Sequence, residues 1–357
     1  MAKKIVSVIV WIMVVGLCAL WYSVFISDAK DLSWIYKWFL DVVANIDDEI
    51  RDNSVWCGSF QIALQDLEDS VKASKSDTAS SYHTFSADQM SETDYYNKSG
   101  LLSFDLKSQI EQWVKKQFNE VVDEKSFEMD WAIVPQNDEY YIWSKEKRYW
   151  VYSKFKKIIS FKNIFDTLDN WNFADVYDDV RYFGIKCNSN KQHNQVKMLY
   201  YNTDSDFAVS IETQWWDEII LAKWTKWKTF LDVYNQVLIK ERRFQWNQNI
   251  TRYECLAIPD ITLKYEKELH RLRNHKIASL EGESHKIARA IQGLELRLAN
   301  FPPINYGNNG NTVQLTEVMW TKNHYLYFNS PFVIFIKEHD KELPYFAAQI
   351  SDIKLFQ

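Results

Sequence analysis

The stretch IQGLELRL at Ile291–Leu298 decides how this sequence is interpreted. Its leucines alternate with Glu295 and Arg297, which is the period-two pattern of a strand with one buried face. A polar, turn-rich segment follows at Asn300–Asn311, and two dense apolar runs, PFVIFI at 331–336 and YFAAQI at 345–350, come after it. We therefore expect a strand, a long exposed loop and an apolar hairpin, in that order.

The rest of the chain mixes helical and strand patterns. Apolar residues at helical spacing predict helices at 54–71, 106–122 and 230–239, and a similar spacing at 31–48 is typical of an amphipathic segment. Alternating or dense apolar runs predict strands at 196–201, 207–211, 218–221 and 255–265. We interpret 140–165 as a strand followed by a helix, and 267–288 as helix plus loop. The predicted class is α+β, with helices first and large sheets in the second half.

The N-terminal segment predicts a membrane anchor. Lys3 and Lys4 precede an uncharged apolar run, Ile5–Ile26, which is long enough as a helix to cross a bilayer core of about 30 Å. The positive-inside rule places the first residues in the cytoplasm and the rest of the chain outside. A cleaved signal peptide is the alternative, less favoured because the run is long and lacks a clean small-x-small site. The predicted division is a cytoplasmic stub at 1–4, an anchor at 5–26, a juxtamembrane amphipathic segment at 27–47 and an extracytoplasmic domain at 48–357.

Composition limits the class of partner. The net charge is −6 and the basic residues are scattered, so we predict no nucleic-acid partner. Cys57, Cys187 and Cys255 cannot all pair within the chain, which excludes a densely disulfide-stapled domain but permits one bridge. The 16 tryptophans include Trp215 and Trp216; half-exposed packing is the favoured explanation, and platforms for a sugar or an aromatic ligand are the alternative.

Catalytic and cofactor motifs are missing from the sequence. It contains no G-x-S-x-G, no G-x-G-x-x-G and no G-x-x-x-x-G-K-S/T, and the spacing of His270, His275 and His285 does not converge on a metal. We therefore predict neither an enzyme nor a cofactor or metal site.

Three stretches, in order, resemble the second half of a serpin. They are QVKMLYYNTDSDFAVSI at Gln195–Ile211, LAIPDITLKYEKEL at Leu256–Leu269, and the C-terminal set in which SPFVIFIK at Ser330–Lys337 is similar to the family's His-Pro-Phe strand. The resemblance covers 195–353, whereas the family's Asn-Ala-x-Tyr-Phe-Lys-Gly strand has no counterpart near 132–157. It implies a serpin-like domain and a reactive-loop-like segment at 300–323.

In the inhibitory members of that family the cleaved loop inserts into a sheet as a new strand, releasing stored strain. The resemblance puts the hinge of this movement at Ala299–Gly307, where small residues are expected. Here Pro302 and Pro303 cannot donate ladder hydrogen bonds, and Phe301 adds a bulky ring. We expect insertion to stall. The segment's other candidate positions are Asn300, Thr312 and Lys322, the last being the only basic candidate for a cleavage site.

Two functional interpretations follow. The first is a membrane-anchored, non-inhibitory serpin-like module that binds a protein at the surface. The second is a surface protease inhibitor that presents segment 300–323 without inserting it. Both call for a protein partner, and neither needs a small-molecule cofactor.

Overall fold

Four sheets and three helices account for most of the described chain. This computed structural model describes residues 40–71, 85–122, 146–187, 193–223, 228–245, 248–250, 254–278, 284–298, 300 and 324–357. The chain divides into a unit at Met1–Leu40, of which only the last residue is described, and a unit at Asp41–Gln357. No helix in the described ranges is both long enough and apolar enough to cross a bilayer. The predicted anchor at 5–26 lies outside those ranges.

Three α-helices lie in the described part of the chain, and two of them begin at a capping side chain. They are α1 at Gly58–Ser70, α2 at Phe104–Phe118 and α3 at Phe230–Arg243. Ser103 and Thr229 cap α2 and α3, each side chain accepting a hydrogen bond from a first-turn N–H. Asn119 ends α2 in the left-handed conformation. All three helices occur close to the predicted positions, but Ser54–Cys57, predicted as the start of the first helix, form strand β2.

Strands occur in both halves of the described chain, and most of them lie in the second half, as predicted. The strands of the first half are β1 Asp41–Val43, β2 Ser54–Cys57, β3 Tyr95–Leu101, β4 Glu146–Ile158, β5 Asp166–Thr167, β6 Trp171–Phe173 and β7 Tyr177–Val180. Those that follow are β8 Tyr182–Ile185, β9 Val196–Thr203, β10 Asp206–Glu212, β11 Asp217–Lys223, β12 Cys255–Pro259, β13 Ile261–Glu268, β14 Lys276–Ala278, β15 Ser284–Leu298, β16 Tyr325–Tyr327, β17 Phe332–Glu338 and β18 Phe346–Ile350.

Three of the sheets organise the domain. Sheet I has the order β13-β15-β4-β3, with β14 paired to β15; sheet II has the order β1-β2-β18-β17-β11-β10-β9; sheet III has the order β16-β12-β8-β5. The predicted C-terminal hairpin is confirmed as β17 and β18, paired antiparallel from Phe332↔Ile350 to Ile336↔Phe346.

Sheet I lies between α1 and α2. Leu106, Ile110 and Val114 of α2 pack on Trp150 and Tyr152 of β4. On the opposite face, Ser59 of α1 meets Ser153 of β4, and Phe155 stacks on Phe346 of sheet II. The alternation of β4 therefore sends one set of side chains to α2 and the other to α1 and sheet II.

Three local predictions were wrong. The helix expected at the end of 140–165 is the second part of strand β4. The helix plus loop expected at 267–288 is instead the end of β13, a short 3₁₀ turn, β14 and the start of β15. Residues Asp41–Val43, predicted as part of an amphipathic helix, form an edge strand of sheet II, because Val42 and Val43 become buried there. The described domain therefore begins at Asp41.

Candidate functional site: the central strand pair and the loop ends

The strand that the sequence identified first lies in the middle of sheet I. β15 pairs in parallel with β4 from Ser284↔Glu146 to Arg297↔Ile158 and antiparallel with β13 on its other edge. Within the described residues there is thus no gap beside Ile291–Leu298. A new strand could enter only if β4 and β15 first separated.

One face of this strand pair carries a cluster of charges. Glu295 of β15 is 2% exposed and lies 3.4 Å from the Nζ of Lys156 on β4 and 3.2 Å from the Nζ of Lys264 on β13. The carboxylate of Glu120, just after α2, forms ion pairs with the ammonium groups of Lys154, at 3.0 Å, and of Lys156. These ion pairs join β4, β13, β15 and the end of α2 across the sheet.

The charges shift the pKa of Glu120 strongly. Burial acts to raise the pKa of this carboxyl, but hydrogen bonds from Lys156 and Lys154 outweigh it and lower the pKa to about 2. Burial also acts to lower the pKa of Lys156, and its hydrogen bond to Glu120 more than compensates, so the net shift is upward. Both shifts favour the charged forms, so Glu120 and Lys156 stay ionised around neutral pH.

Gly293 of β15 makes room for this cluster. A Cβ at this position would lie 2.7 Å from Cδ of Lys154, whose side chain passes over the glycine from the neighbouring strand. Lys154 is 4% exposed, so its chain has little freedom to move aside. The glycine lets a lysine from β4 lie across β15.

The opposite face of the same strands carries a row of uncharged polar side chains level with Ser153. Asn97, Ser153 and Gln292 lie side by side on β3, β4 and β15. The Oγ of Ser153 is 2.8 Å from the Oγ of Ser59 in α1. Among the described residues, the side-chain amides of Asn97 and Gln292 are buried without a hydrogen-bond partner. Unpaired buried amides cost stability, so this face is a weak point in the packing of sheet I.

Both ends of the reactive-loop-like segment are fixed. At the first end, Oδ1 of Asn300 accepts a hydrogen bond from the N–H of Phe165 at 3.1 Å, and its Nδ2 donates to the carbonyl of Phe165 at 2.6 Å. At the other end, Nδ1 of His324 lies 2.7 Å from Glu254, and β16 pairs in parallel with β12. Of the predicted loop residues, Asn300 alone is described; Phe301, Pro302, Pro303, Thr312 and Lys322 lie outside the described residues.

A disulfide lies next to the second end. Cys187 and Cys255 are bonded, with their Cα atoms 4.8 Å apart, and Cys57 is a free, buried thiol. Cys255 opens β12 and pairs with Tyr325 of β16. The bridge therefore joins the start of β12 to the chain just after β8, the strand that pairs with β12 in sheet III. Sequence spacing left this pair open, because only the fold brings the two Cα atoms close.

Sequence reasoning missed the charge cluster and the amide row. The strand alternation of 291–298 placed Glu295 on the face away from its leucines, but nothing in the sequence showed that Lys156 and Glu120 would meet it. No metal site was predicted, and no group of three or more metal-ligating side chains occurs in the described part of the chain. Buried His285 instead lies with Nδ1 3.1 Å from the hydroxyl of Tyr149.

Solved structures of serpins share this architecture. The chain is similar to Serpin-12, a serine protease inhibitor of Manduca sexta, with a TM-score of 0.51, 11% identity and coverage of 85% of this chain and 94% of that chain. It is also similar to Serpin48 of the insect Tenebrio molitor (TM-score 0.49, 10% identity, 85% and 92% coverage). Thyroxine-binding globulin in complex with thyroxine is a third similar structure (0.48, 13%, 84% and 93%).

No family model matches the sequence, and no curated protein matches it in sequence. The likeness to the Manduca sexta protein shows the fold: this chain has a serpin-like α+β fold, and the resemblance noted in the sequence is confirmed at that level. At 11% identity the likeness establishes no activity.

Proposed function

We propose that this protein is a non-inhibitory serpin-like module that binds a protein partner, rather than an enzyme or a trap for proteases. The observation that carries the proposal is the clamp between Asn300 and the backbone of Phe165. It holds the chain outside sheet I immediately after β15 ends at Leu298, at the point where an inserting segment would have to turn back.

The ladder between β4 and β15 does not by itself oppose insertion. A strand entering between them would exchange one hydrogen-bonded ladder for two, provided that it offers an N–H and a C=O at each step. The segment after Asn300 fails this condition, because Pro302 and Pro303 have no N–H. A proline in a sheet interior removes one ladder hydrogen bond. For comparison, a proline in a helix interior costs about 3 kcal/mol or more.

The charge cluster adds a second obstacle. Separating β4 from β15 pulls Lys156 away from Glu295, which is 2% exposed. Removing one partner from a fully buried ion pair costs about 3–5 kcal/mol. The cost here is smaller, because Lys156 is 26% exposed and Glu295 keeps Lys264 as a partner at 3.2 Å. Exposed pairs in the cluster contribute less, since water screens them.

Protease inhibition by simple loop occupancy is the second candidate. It is favoured by the anchoring of both loop ends, at Asn300 and at His324, which would present segment 300–323 in a restricted form. A restricted loop binds with a smaller entropic cost than a free one. Lys322 would suit a trypsin-like protease.

Incubation of the full chain with trypsin-like, chymotrypsin-like and elastase-like proteases separates these functions. We expect no SDS-stable complex with any of them. A variant that replaces Pro302 and Pro303 with alanine and carries Asn300→Ala is the matched comparison, because it removes the clamp and the two prolines without altering sheet I. An SDS-stable complex with the unaltered chain would refute the non-inhibitory proposal. Reversible inhibition without such a complex would favour loop occupancy.

The proposal also includes a membrane location, with 5–26 as the anchor and the serpin-like domain outside the cytoplasm. The apolar run supports it, as does the Cys187–Cys255 disulfide, since disulfides persist mainly in oxidising compartments.

In cells, the full chain should resist alkaline carbonate extraction of membranes, and deletion of 5–26 should release it. Alkylation before reduction should label Cys57 after unfolding but not Cys187 or Cys255. A full chain released by carbonate would contradict the anchor.

A further inference from the structure

The connection between β10 and β11 exposes two adjacent tryptophans. Trp215 is 66% exposed and Trp216 is 76% exposed, whereas most large aromatic side chains in the described residues are buried. Exposed indole rings on a soluble surface are costly unless something covers them, and tryptophan is a residue type enriched in binding sites. The exposed tryptophan pair is therefore a candidate binding surface.

The backbone that carries the rings is held firmly in place. The N–H of Thr213 donates to the carbonyl of Asp217 at 3.0 Å, that of Gln214 to the carbonyl of Ser160 at 2.8 Å, and that of His339 to the carbonyl of Trp216 at 2.8 Å. Two neighbouring segments and the hairpin itself thus fix the loop. Its tryptophans are presented by a rigid support.

Trp216 adopts an unusual backbone conformation. Its φ is 69°, in the left-handed region, which is uncommon for a bulky residue other than glycine. Strain of about 1–3 kcal/mol at such positions persists only where the surroundings impose it, and it clusters at functional sites. Asparagine would fit this φ better, yet the chain has tryptophan there.

A cavity of about 310 Å³ opens beside Trp216. Its lining includes Lys162, Glu212, Gln214, Trp216, Asp217 and His339. The volume lies at the lower end of the range of about 300–1,000 Å³ seen for small-molecule sites. One wall is rigid, because the buried carboxylate of Asp217 accepts from the hydroxyl of Tyr345 at 2.8 Å and pairs with Lys157 at 2.9 Å.

The charged side chains of the lining each have a partner of opposite charge. Lys162 pairs with Glu212 at 3.0 Å, and Asp217 pairs at 2.9 Å with Lys157, which it shares with Asp94. These partners favour a neutral ligand over an ionic one. What remains is a wall of indole beside hydrogen-bond donors and acceptors, including the amide of Gln214 and the imidazole of His339. This chemistry matches a neutral ring with an apolar face and hydroxyls at its edge.

We propose that the Trp216 cavity binds one neutral pyranose sugar, whose C–H face stacks on the indole and whose hydroxyls reach the polar lining. The sugar is either a free monosaccharide or an exposed residue of a glycan. The cavity lies at the β10–β11 end of sheet II, and neither Asn300 nor His324, which flank the undescribed part of segment 300–323, lines it. This proposal therefore does not depend on the role assigned to that segment.

Saturation-transfer NMR tests the proposal with the full chain in a detergent that has no sugar head group. The panel contains neutral hexoses and their N-acetylated forms, a sialic acid, an aromatic amine and short neutral oligosaccharides. We expect saturation transfer to at least one neutral sugar, centred on ring C–H protons. Binding of the oligosaccharide alone identifies the glycan source, and equal binding of the monosaccharide identifies the free sugar.

Two tryptophan variants make the test specific. Trp216→Asn should keep or raise stability, because asparagine tolerates the left-handed conformation, and should weaken sugar binding by about tenfold or more through loss of the ring. Trp113→Ala is the control: this ring is 46% exposed but lies on α2, and its removal should leave binding unchanged. The proposal is overturned if no neutral sugar binds, if only the anionic or aromatic probe binds, or if Trp216→Asn binds as well as the unaltered chain.

Discussion

The central strands of sheets I and II differ in how many polar side chains they bury. In sheet II, every residue of Phe332–Ile336 on β17 is apolar and 0% exposed. In sheet I, the two central strands bury Lys154, Ser153, Gln292 and Glu295. Apolar burial stabilises without directional partners, whereas each buried polar group needs a specific partner. The centre of sheet II is therefore stabilised mainly by apolar packing, whereas sheet I also depends on matched polar and charged groups across its strands.

The largest effect should come from a cavity in sheet II. Phe335→Ala removes a ring that packs on Phe230 and Tyr234, and we expect unfolding free energy to fall by about 3–5 kcal/mol. Urea denaturation followed by circular dichroism measures this loss. Phe104→Ala is the control, because that ring is 43% exposed and its removal should cost far less. Similar losses for the two variants would contradict the assignment of the core to sheet II.

The ion pair that joins the two sheets should come next. Asp217 on β11 is 4% exposed and pairs with Lys157 of β4, so Asp217→Asn leaves the lysine with Asp94 as its remaining carboxylate partner. We expect a loss of about 1.5–3 kcal/mol in unfolding free energy, the range for a hydrogen bond to a charged group. Lys162→Gln, which breaks an exposed pair with Glu212, should cost less than about 1 kcal/mol. Equal effects of the two changes would show that the junction is not rigid.

Two buried glutamines should respond in opposite directions. Gln292 in sheet I has no hydrogen-bond partner for its amide among the described residues, so Gln292→Leu should raise stability by about 1–2 kcal/mol. Gln61 accepts hydrogen bonds from Ile46 and from the indole of Trp56, so Gln61→Leu should lower it by about 1–3 kcal/mol. Thermal melting of the two variants gives the sign directly. A destabilising Gln292→Leu would mean that this face of sheet I is fully satisfied.

The smallest effect is acid sensitivity of the charge cluster. Because the pKa of Glu120 is lowered to about 2 in the folded state, its contribution is present above its ordinary value of 4.5 and is lost as pH falls toward 2. Melting temperatures measured across that window should fall less steeply for Glu120→Gln than for the unaltered chain. Identical slopes would show that Lys154 and Lys156 do not hold this carboxyl.

The sequence predicted sheet II better than sheet I, and the reason is physical. The hairpin of 331–350 and the strands at 196–221 consist of dense apolar runs, so they can be predicted from the sequence alone. By contrast, β4 mixes Lys154, Lys156 and Lys157 with aromatic residues, and its strand character depends on partners distant in sequence. Residues 267–288 were misassigned for the same reason, since their polar side chains pair across strands.

Of the candidate site, the sequence supplied the loop position and Asn300 but not what Asn300 contacts. The clamp on Phe165 joins residues far apart in the chain, and the same is true of Cys187 with Cys255. Trp215 and Trp216 were noted for their composition alone. Their exposure and the left-handed φ of Trp216 became evident only from the fold.

The central claim is that segment 300–323 does not enter sheet I. Limited proteolysis between Thr312 and Lys322, followed by thermal melting of the nicked chain, tests it most directly. The account predicts a melting temperature close to that of the intact protein, with amide exchange in β4 and β15 unchanged. A large rise in melting temperature, accompanied by new exchange protection in residues 301–312, would contradict it.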